Sequence, residues 1–448
     1  MIYQPTLSSI KQHPLPTWYQ DAKFGIFIHW TISSVPAYAP TGLGDISHIF
    51  AKESEAYGYT YQPYAEWYQN SLRIKGSPVY EYHRKTYGQD YPYENFAHTF
   101  NEQSTQWQPD AWADLFDQAG ARYVVLVTKH HDGFLLWDSQ YPNPFRPDYR
   151  TSRDVTGELT HSITAKGIKM GLYYSSALDW TFAPQPILGF ADLLSTGPTS
   201  QDYLHYVENH WRELIDRYNP AMLWSDIAYP PHGNLPDLFA YFYNHNPEGV
   251  VNDRWFQLPK RYLTPEGKLL LKQDAKRLMN DGGTALPHVP HCDYRTTEYS
   301  NLKTQAPFKW ESVRGIGNSF AYNQFEQPSD YLKAPELIRM LVDVVSKNGN
   351  LLLNIGPRPD GSIPAPQVEA LQGIGRWLAV NGEAIYGTRP WERAGDETED
   401  GLKVAYTAKE NTLYITILHP PTGVLKLSEF PANELTGVQL TNSNSLCS

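Results

Sequence analysis

Eight mostly apolar runs recur along the chain, beginning at Phe24, Tyr123, Lys169, Met222, Val250, Asp293, Phe308 and Leu351. Unbroken runs such as Phe24-Gly-Ile-Phe-Ile28 and Tyr123-Val-Val-Leu-Val127 predict strands buried on both faces, the pattern of a parallel sheet covered by helices. Helical periodicity fills most of the intervals: Pro109–Ala119, Val155–Ala165, Asp202–Tyr218, Pro236–Asn244, Ala334–Ser346 and Pro366–Val380. Gly120 and the pair Asn219-Pro220 supply stop signals. Eight strand–helix units predict an α/β fold, an irregular (β/α)8 TIM-like barrel, with the sixth and seventh strands the most weakly patterned.

Three stretches depart from this rhythm. Thr31 to Thr105, rich in Tyr, Pro, Ser and Gly, reads as a loop-rich insertion with one short helical piece starting at Tyr64. Insertions of that length in a compact domain are usually functional. Pro259–Pro290 reads as a second, polar and irregular insertion. After Tyr386 the period changes to two, in Val404-Ala-Tyr-Thr407 and Thr412-Leu-Tyr-Ile-Thr-Ile-Leu418, which predicts a small C-terminal antiparallel β-sandwich. A boundary near Gly387 divides a barrel domain, residues 1–387, from the β-sandwich domain, residues 388–448.

Composition narrows the partners. A formal net charge of −11 without any basic run argues against nucleic acid or an anionic membrane. The two cysteines, Cys292 and Cys447, exclude a disulfide framework or a cysteine metal cluster. The first residues lack a basic stretch followed by an apolar core, and no apolar run approaches the ~20 residues of a membrane span. A cytoplasmic, soluble protein is the expectation. Aromatics make up 14% of the chain, with 13 Trp and 32 Tyr. They fill a large core or, since Trp and Tyr join an apolar body to a polar handle, line a sugar site.

In a barrel, the C-terminal strand ends line one mouth. Those ends carry His29, His130, His131, Tyr173 or Tyr174, Asp226, Arg254, Glu298 and Glu311. Imidazoles, a phenol and a guanidinium suit several sugar hydroxyls, and a pair of carboxyls suits glycosidic chemistry. Each has a plainer reading: Asp226 as a cap, His29 as a core histidine, Glu66-Trp67 as an ordinary helix pair. A metal is disfavoured for His130-His131, because neighbours on a strand point to opposite faces. His288-Val-Pro-His291 lies in an irregular segment and is a weak metal candidate.

Five motifs occur in order: Lys23-Phe-Gly-Ile-Phe-Ile-His-Trp30, Lys129-His-His-Asp-Gly-Phe134, Trp224-Ser-Asp226, Asn252-Asp-Arg-Trp255 and Asn348-Gly-Asn-Leu-Leu-Leu-Asn-Ile-Gly-Pro357. Together they resemble the α-L-fucosidases of glycoside hydrolase family 29 across residues 15–390. The resemblance implies a barrel with a C-terminal β-sandwich, no metal or other cofactor, and retaining hydrolysis of terminal α-L-fucose from a fucosylated glycan. It implies Asp226 as nucleophile and His29, His130, His131, Tyr173, Trp224 and Arg254 as fucose ligands. Glu66 and Trp67 match a loop of the same pocket, and Phe320 matches the contact to the fucose methyl. Glu298 matches the acid/base position, although Thr297 stands where proline is common; Glu311 is the competing carboxyl. A fucose-binding protein on an inactive barrel and a metal-dependent hydrolase are the alternatives. Linkage preference, transfer to other acceptors and oligomeric state are left open by the sequence.

Overall fold

The computed structural model describes residues 2–280, 289–398, 401–419, 427 and 437. All eight predicted strands form: β1 Phe24–Ile28, β2 Tyr123–Lys129, β3 Lys169–Ser175, β4 Met222–Asp226, β5 Val250–Val251, β6 Arg295–Glu298, β7 Trp310–Gly315 and β8 Gly349–Ile355. They make one parallel, curled sheet in the order β5-β4-β3-β2-β1-β8-β7-β6. Every residue of β1, β2 and β8 is buried, as their unbroken apolar runs require.

No ladder joins β5 to β6 among the described residues, and Asp293 bridges the gap. Its N–H donates to the Val251 carbonyl at 3.0 Å, and its carboxylate accepts the Val251 N–H at 2.7 Å. β5 is far shorter than the predicted Gly249–Trp255 because Asn252 spends its side chain on the neighbouring strand. Its amide accepts from Ser225 N and donates to Ser225 O, which replaces ladder bonds and frees Asp253 and Arg254 to turn into the mouth.

The predicted helices also form, for example Gln201–Tyr218. Ser200 caps its start by accepting from Tyr203 N, and Asn219 ends it in the left-handed region at φ 43° before Pro220. Both insertions are more ordered than expected. The first contains the helices Ile46–Lys52, Glu55–Thr60, Tyr68–Leu72, Pro78–Thr86 and Phe96–Ser104. Side chains of Asp45, Ser54 and Ser77 cap three of these, so local caps had overruled the Tyr/Ser/Gly-rich composition. The second, read as irregular, contains the helix Pro265–Asn280.

After the barrel, β9 Arg389–Glu397, β10 Lys403–Lys409 and β11 Thr412–Ile417 form one three-stranded antiparallel sheet. The remainder of the predicted β-sandwich, and Cys447 with it, falls outside the described residues. No helix among the described residues is long and apolar enough to cross a membrane.

One glycine inside a strand has a specific task. A Cβ on Gly25 would lie 2.4–2.7 Å from the ring of Tyr123, so only glycine lets that ring cross the barrel interior. The Tyr123 hydroxyl there donates to Glu311 at 2.7 Å, and Tyr19 donates to the same oxygen at 3.0 Å. The other Glu311 oxygen accepts from Trp224 Nε1 at 3.0 Å, which ties the barrel floor to the mouth above it.

Candidate active site

The strand ends converge on a cavity of about 230 Å³. Its lining includes His29, Glu66, Trp67, His130, Tyr173, Trp224, Asp226, Arg254, Glu298 and Phe320. His131 stands just behind, with Nε2 3.9 Å from Asp226 Oδ2. Glu311 is fully buried beneath Trp224 and does not line the cavity, so of the two competing carboxyls only Glu298 reaches the pocket. Burial pushes the Glu311 carboxyl up to about 7 even though three side-chain donors oppose the shift. Most tryptophans fill the core, and only Trp67 and Trp224 line this cavity.

Asp226 ends β4 and does not cap a following helix. Tyr173 donates its hydroxyl to Oδ2 at 2.9 Å, and Arg254 Nη1 donates to Oδ1 at 3.1 Å. The same Nη1 reaches Glu298 Oε2 at 3.2 Å. The two facing carboxylate oxygens are therefore no farther apart than the sum of those lengths. Tyr64 donates to the other Glu298 oxygen at 2.9 Å. Arg254 is fixed in turn by Thr296 Oγ1, which accepts from Nε at 3.0 Å and donates to Asp253 at 2.7 Å. Its guanidinium lies over the Trp224 ring, and Trp224 stacks on Tyr173 with centroids 5.4 Å apart. Glu311 thus positions Trp224, against which both Asp226 partners rest.

The backbone is strained beside each carboxylate. Ile227 (φ 52°) and Ala228 (φ 94°) follow Asp226, and Tyr299 (φ 48°) follows Glu298. Non-glycine residues held there cost roughly 1–3 kcal/mol each and cluster at functional sites. Ala228 N–H on Arg254 O and Tyr229 N–H on Phe256 O hold the first of these turns.

The histidines are kept neutral. Asn354 donates to the Phe320 carbonyl at 2.6 Å, which leaves its Oδ1 to accept from His29 Nδ1 at 2.6 Å. His29 Nε2 is then an acceptor. Ser175 donates to Leu178 O and accepts from His131 Nδ1 at 2.6 Å, which sets the same tautomer. Burial pulls His29 down to about 4 and His131 down to about 3. His130 lies well below the usual imidazole range, through burial first and then the neighbouring His131 and His29. Its Nδ1 has no hydrogen-bond partner among the described residues. The alternation argument for His130 and His131 fails here, since β2 ends at Lys129 and the two rings lie 4.0 Å apart on one side. No group of three His, Cys, Asp or Glu side chains among the described residues is placed to hold a metal. His288 lies outside them, and His291 bonds Tyr243 at 2.7 Å in the β5–β6 seam.

Glu66 is buried, and its carboxyl accepts the Ala321 N–H at 2.9 Å and the Ser319 hydroxyl at 3.4 Å, clamping the loop that presents Phe320. Phe320 packs on His29 with centroids 5.0 Å apart. Burial pushes the Glu66 carboxyl up to about 8, above its ordinary 4.5. Between those values the folded state keeps a proton that the unfolded chain sheds, so this group's contribution to stability is full below the lower value and lost as pH rises through the upper. Glu66→Gln cannot ionise. Its Tm relative to wild type is expected to rise by a few degrees between about pH 5 and about pH 8.5, measured by thermal melts; a constant difference would contradict the shifted carboxyl.

Sequence reasoning missed Tyr64, Thr296 and Asn354, which orient the named residues. Asn354 was within reach, as the polar end of β8. It also missed the apolar lining from Ile46, Phe50, Tyr59, Leu193, Leu194, Ile227 and Phe256, much of it on insertion helices whose packing no strand-end rule foretells.

A parallel barrel with a close carboxylate pair at its mouth, ringed by neutral imidazoles and an aromatic floor, defines a glycoside hydrolase. The comparisons narrow this. Residues 1–383 match the α-L-fucosidase family. The chain is 32% identical to an α-L-fucosidase of Dictyostelium discoideum, covering 98% of this chain and 86% of the relative. To human tissue α-L-fucosidase it is 32% identical, covering 95% and 80%. The crystal structure of Thermotoga maritima α-fucosidase in complex with fucose superposes with a TM-score of 0.79 at 42% identity, covering 94% of this chain and 87% of that one. The chain belongs to the α-L-fucosidase family.

Proposed function

We propose that the chain is an exo-acting, retaining α-L-fucosidase that releases terminal α-L-fucose from fucosylated glycans. The observation that carries this reading is the bridge of one Arg254 nitrogen between Asp226 and Glu298, which supports a close, retaining carboxylate pair. In the first step the Asp226 carboxylate attacks the anomeric carbon while Glu298 gives its proton to the glycosidic oxygen, which leaves as an alcohol. In the second, Glu298 takes a proton from water, the water oxygen attacks the fucosyl ester, and Asp226 departs as carboxylate. Glu298 is the more accessible of the two, at 31% against 13% for Asp226, as a group that meets leaving group and water in turn should be.

His29, His130, His131, Tyr173, Trp224 and Arg254 bind the fucose hydroxyls in this reading. Glu66 and Trp67 complete the pocket, and Phe320 offers an apolar contact to the C6 methyl. His130 lines the cavity beside His29 and Tyr173, which supports this role. The active barrel is assigned to residues 1–387 and the C-terminal domain to residues 388–448.

Proton NMR during cleavage of 4-nitrophenyl α-L-fucoside tests the reaction. α-L-Fucose is expected as the first anomer formed, with the β anomer appearing only by mutarotation. First formation of the β anomer would mean inversion, and binding of fucose without any release would mean an inactive barrel.

A further inference from the structure

The cavity has a second wall of a different character. Ile46, Phe50, Leu193, Leu194, Ile227 and Phe256 line it with purely apolar side chains. They come from the helix Ile46–Lys52, the helix Phe190–Ser195 and the turns after β4 and β5. Phe50 is 37% exposed, and Leu193 and Ile227 are partly exposed, so the cavity keeps accessible apolar surface that the core has not absorbed.

This wall is built. The Phe50 ring sits against Gly58, where a Cβ would come within 2.3 Å of it, and meets Tyr59 with centroids 5.7 Å apart. The Glu55 carboxylate, on the next helix Glu55–Thr60, accepts the Phe190 N–H at the start of the helix Phe190–Ser195 and ties those two helices together. Ile227, a β-branched residue, is held at φ 52° directly after Asp226, a conformation whose cost has to be met by the surrounding structure.

We propose that this wall is a leaving-group subsite for a flat apolar face, either the C–H face of the neighbouring sugar or an aromatic ring. The assignment rests on the fucosidase reading above. The strand-end side chains satisfy the polar rim of one sugar, whereas the wall offers only dispersion contact and exclusion of water. Glu298, the more exposed carboxyl, hands its proton to the leaving group, and the exposed Phe50 and partly exposed Leu193, which line the same cavity, give that group apolar surface to rest on.

The test compares kcat/KM of wild type, Phe50→Ser and Leu193→Ser on three substrates. These are 4-nitrophenyl α-L-fucoside, fucosyl N-acetylglucosamine disaccharides, and α-L-fucosyl fluoride, whose leaving group is a single atom. Each variant is expected to lose about tenfold on the aryl fucoside, the disaccharides or both, with fluoride hydrolysis unchanged within about twofold. Loss on the aryl substrate alone identifies an aromatic ring as the ligand; loss on the disaccharides alone identifies the sugar face. Equal losses on the fluoride, or no loss on either larger substrate, would overturn the subsite. A wild type inert toward fucosyl fluoride would instead refute the fucosidase reading itself.

Discussion

Asp226→Ala is expected to lower kcat/KM for 4-nitrophenyl α-L-fucoside by on the order of 10⁴-fold or more, because it removes the atom that forms the covalent bond. The loss should appear in kcat, with the Tm changed by only a few degrees. The Asp226 carboxylate is partly accessible at 13%, and its partners keep other support: Arg254 on Thr296 and Glu298, and Tyr173 on Trp224. Turnover within about tenfold of wild type in steady-state assays would end the nucleophile assignment.

Glu298→Ala is expected to cost about 10²–10⁴-fold on substrates with poor leaving groups and much less where the leaving group needs no proton. Azide, which needs no general base, should restore the rate by attacking the fucosyl–enzyme and yield fucosyl azide. Glu311→Ala should show no such rescue. Its oxygens are occupied by Tyr19, Tyr123 and Trp224, so its loss orphans three buried donors at on the order of 1–3 kcal/mol each and appears as a lowered Tm. Rescue of Glu311→Ala with none for Glu298→Ala would reverse the roles.

The barrel was legible because its strands are apolar on both faces. That periodicity survives in β1, β2 and β8 whatever the loops do. The strand-end rule then found most of the polar site, from His29 to Glu298. It failed where side chains replace backbone pairing. Asn252 cut β5 to two residues, and the end of β2 at Lys129 let His130 and His131 turn to the same side. It was silent on groups that act through another residue, such as Tyr64 on Glu298, and on the Phe50 and Leu193 wall. A composition rich in Tyr, Ser and Gly resembled loop, but capping by Asp45, Ser54 and Ser77 made helix. Glu311 shows the converse hazard: read as a strand end, it is the second residue of β7, which runs on to Gly315, so its carboxyl lies at the barrel floor and not at the mouth.

The central claim is that Asp226 forms a covalent bond to fucose. Incubation with 2-deoxy-2-fluoro-α-L-fucosyl fluoride, followed by proteolysis and mass spectrometry, tests it directly. The fluorine slows both steps while the fluoride leaving group sustains the first, so the fucosyl–enzyme should accumulate. The predicted result is one fluorofucosyl group per chain, on the peptide containing Trp224-Ser-Asp226. Stoichiometric labelling of any other carboxylate, or turnover without any labelled peptide, would contradict it.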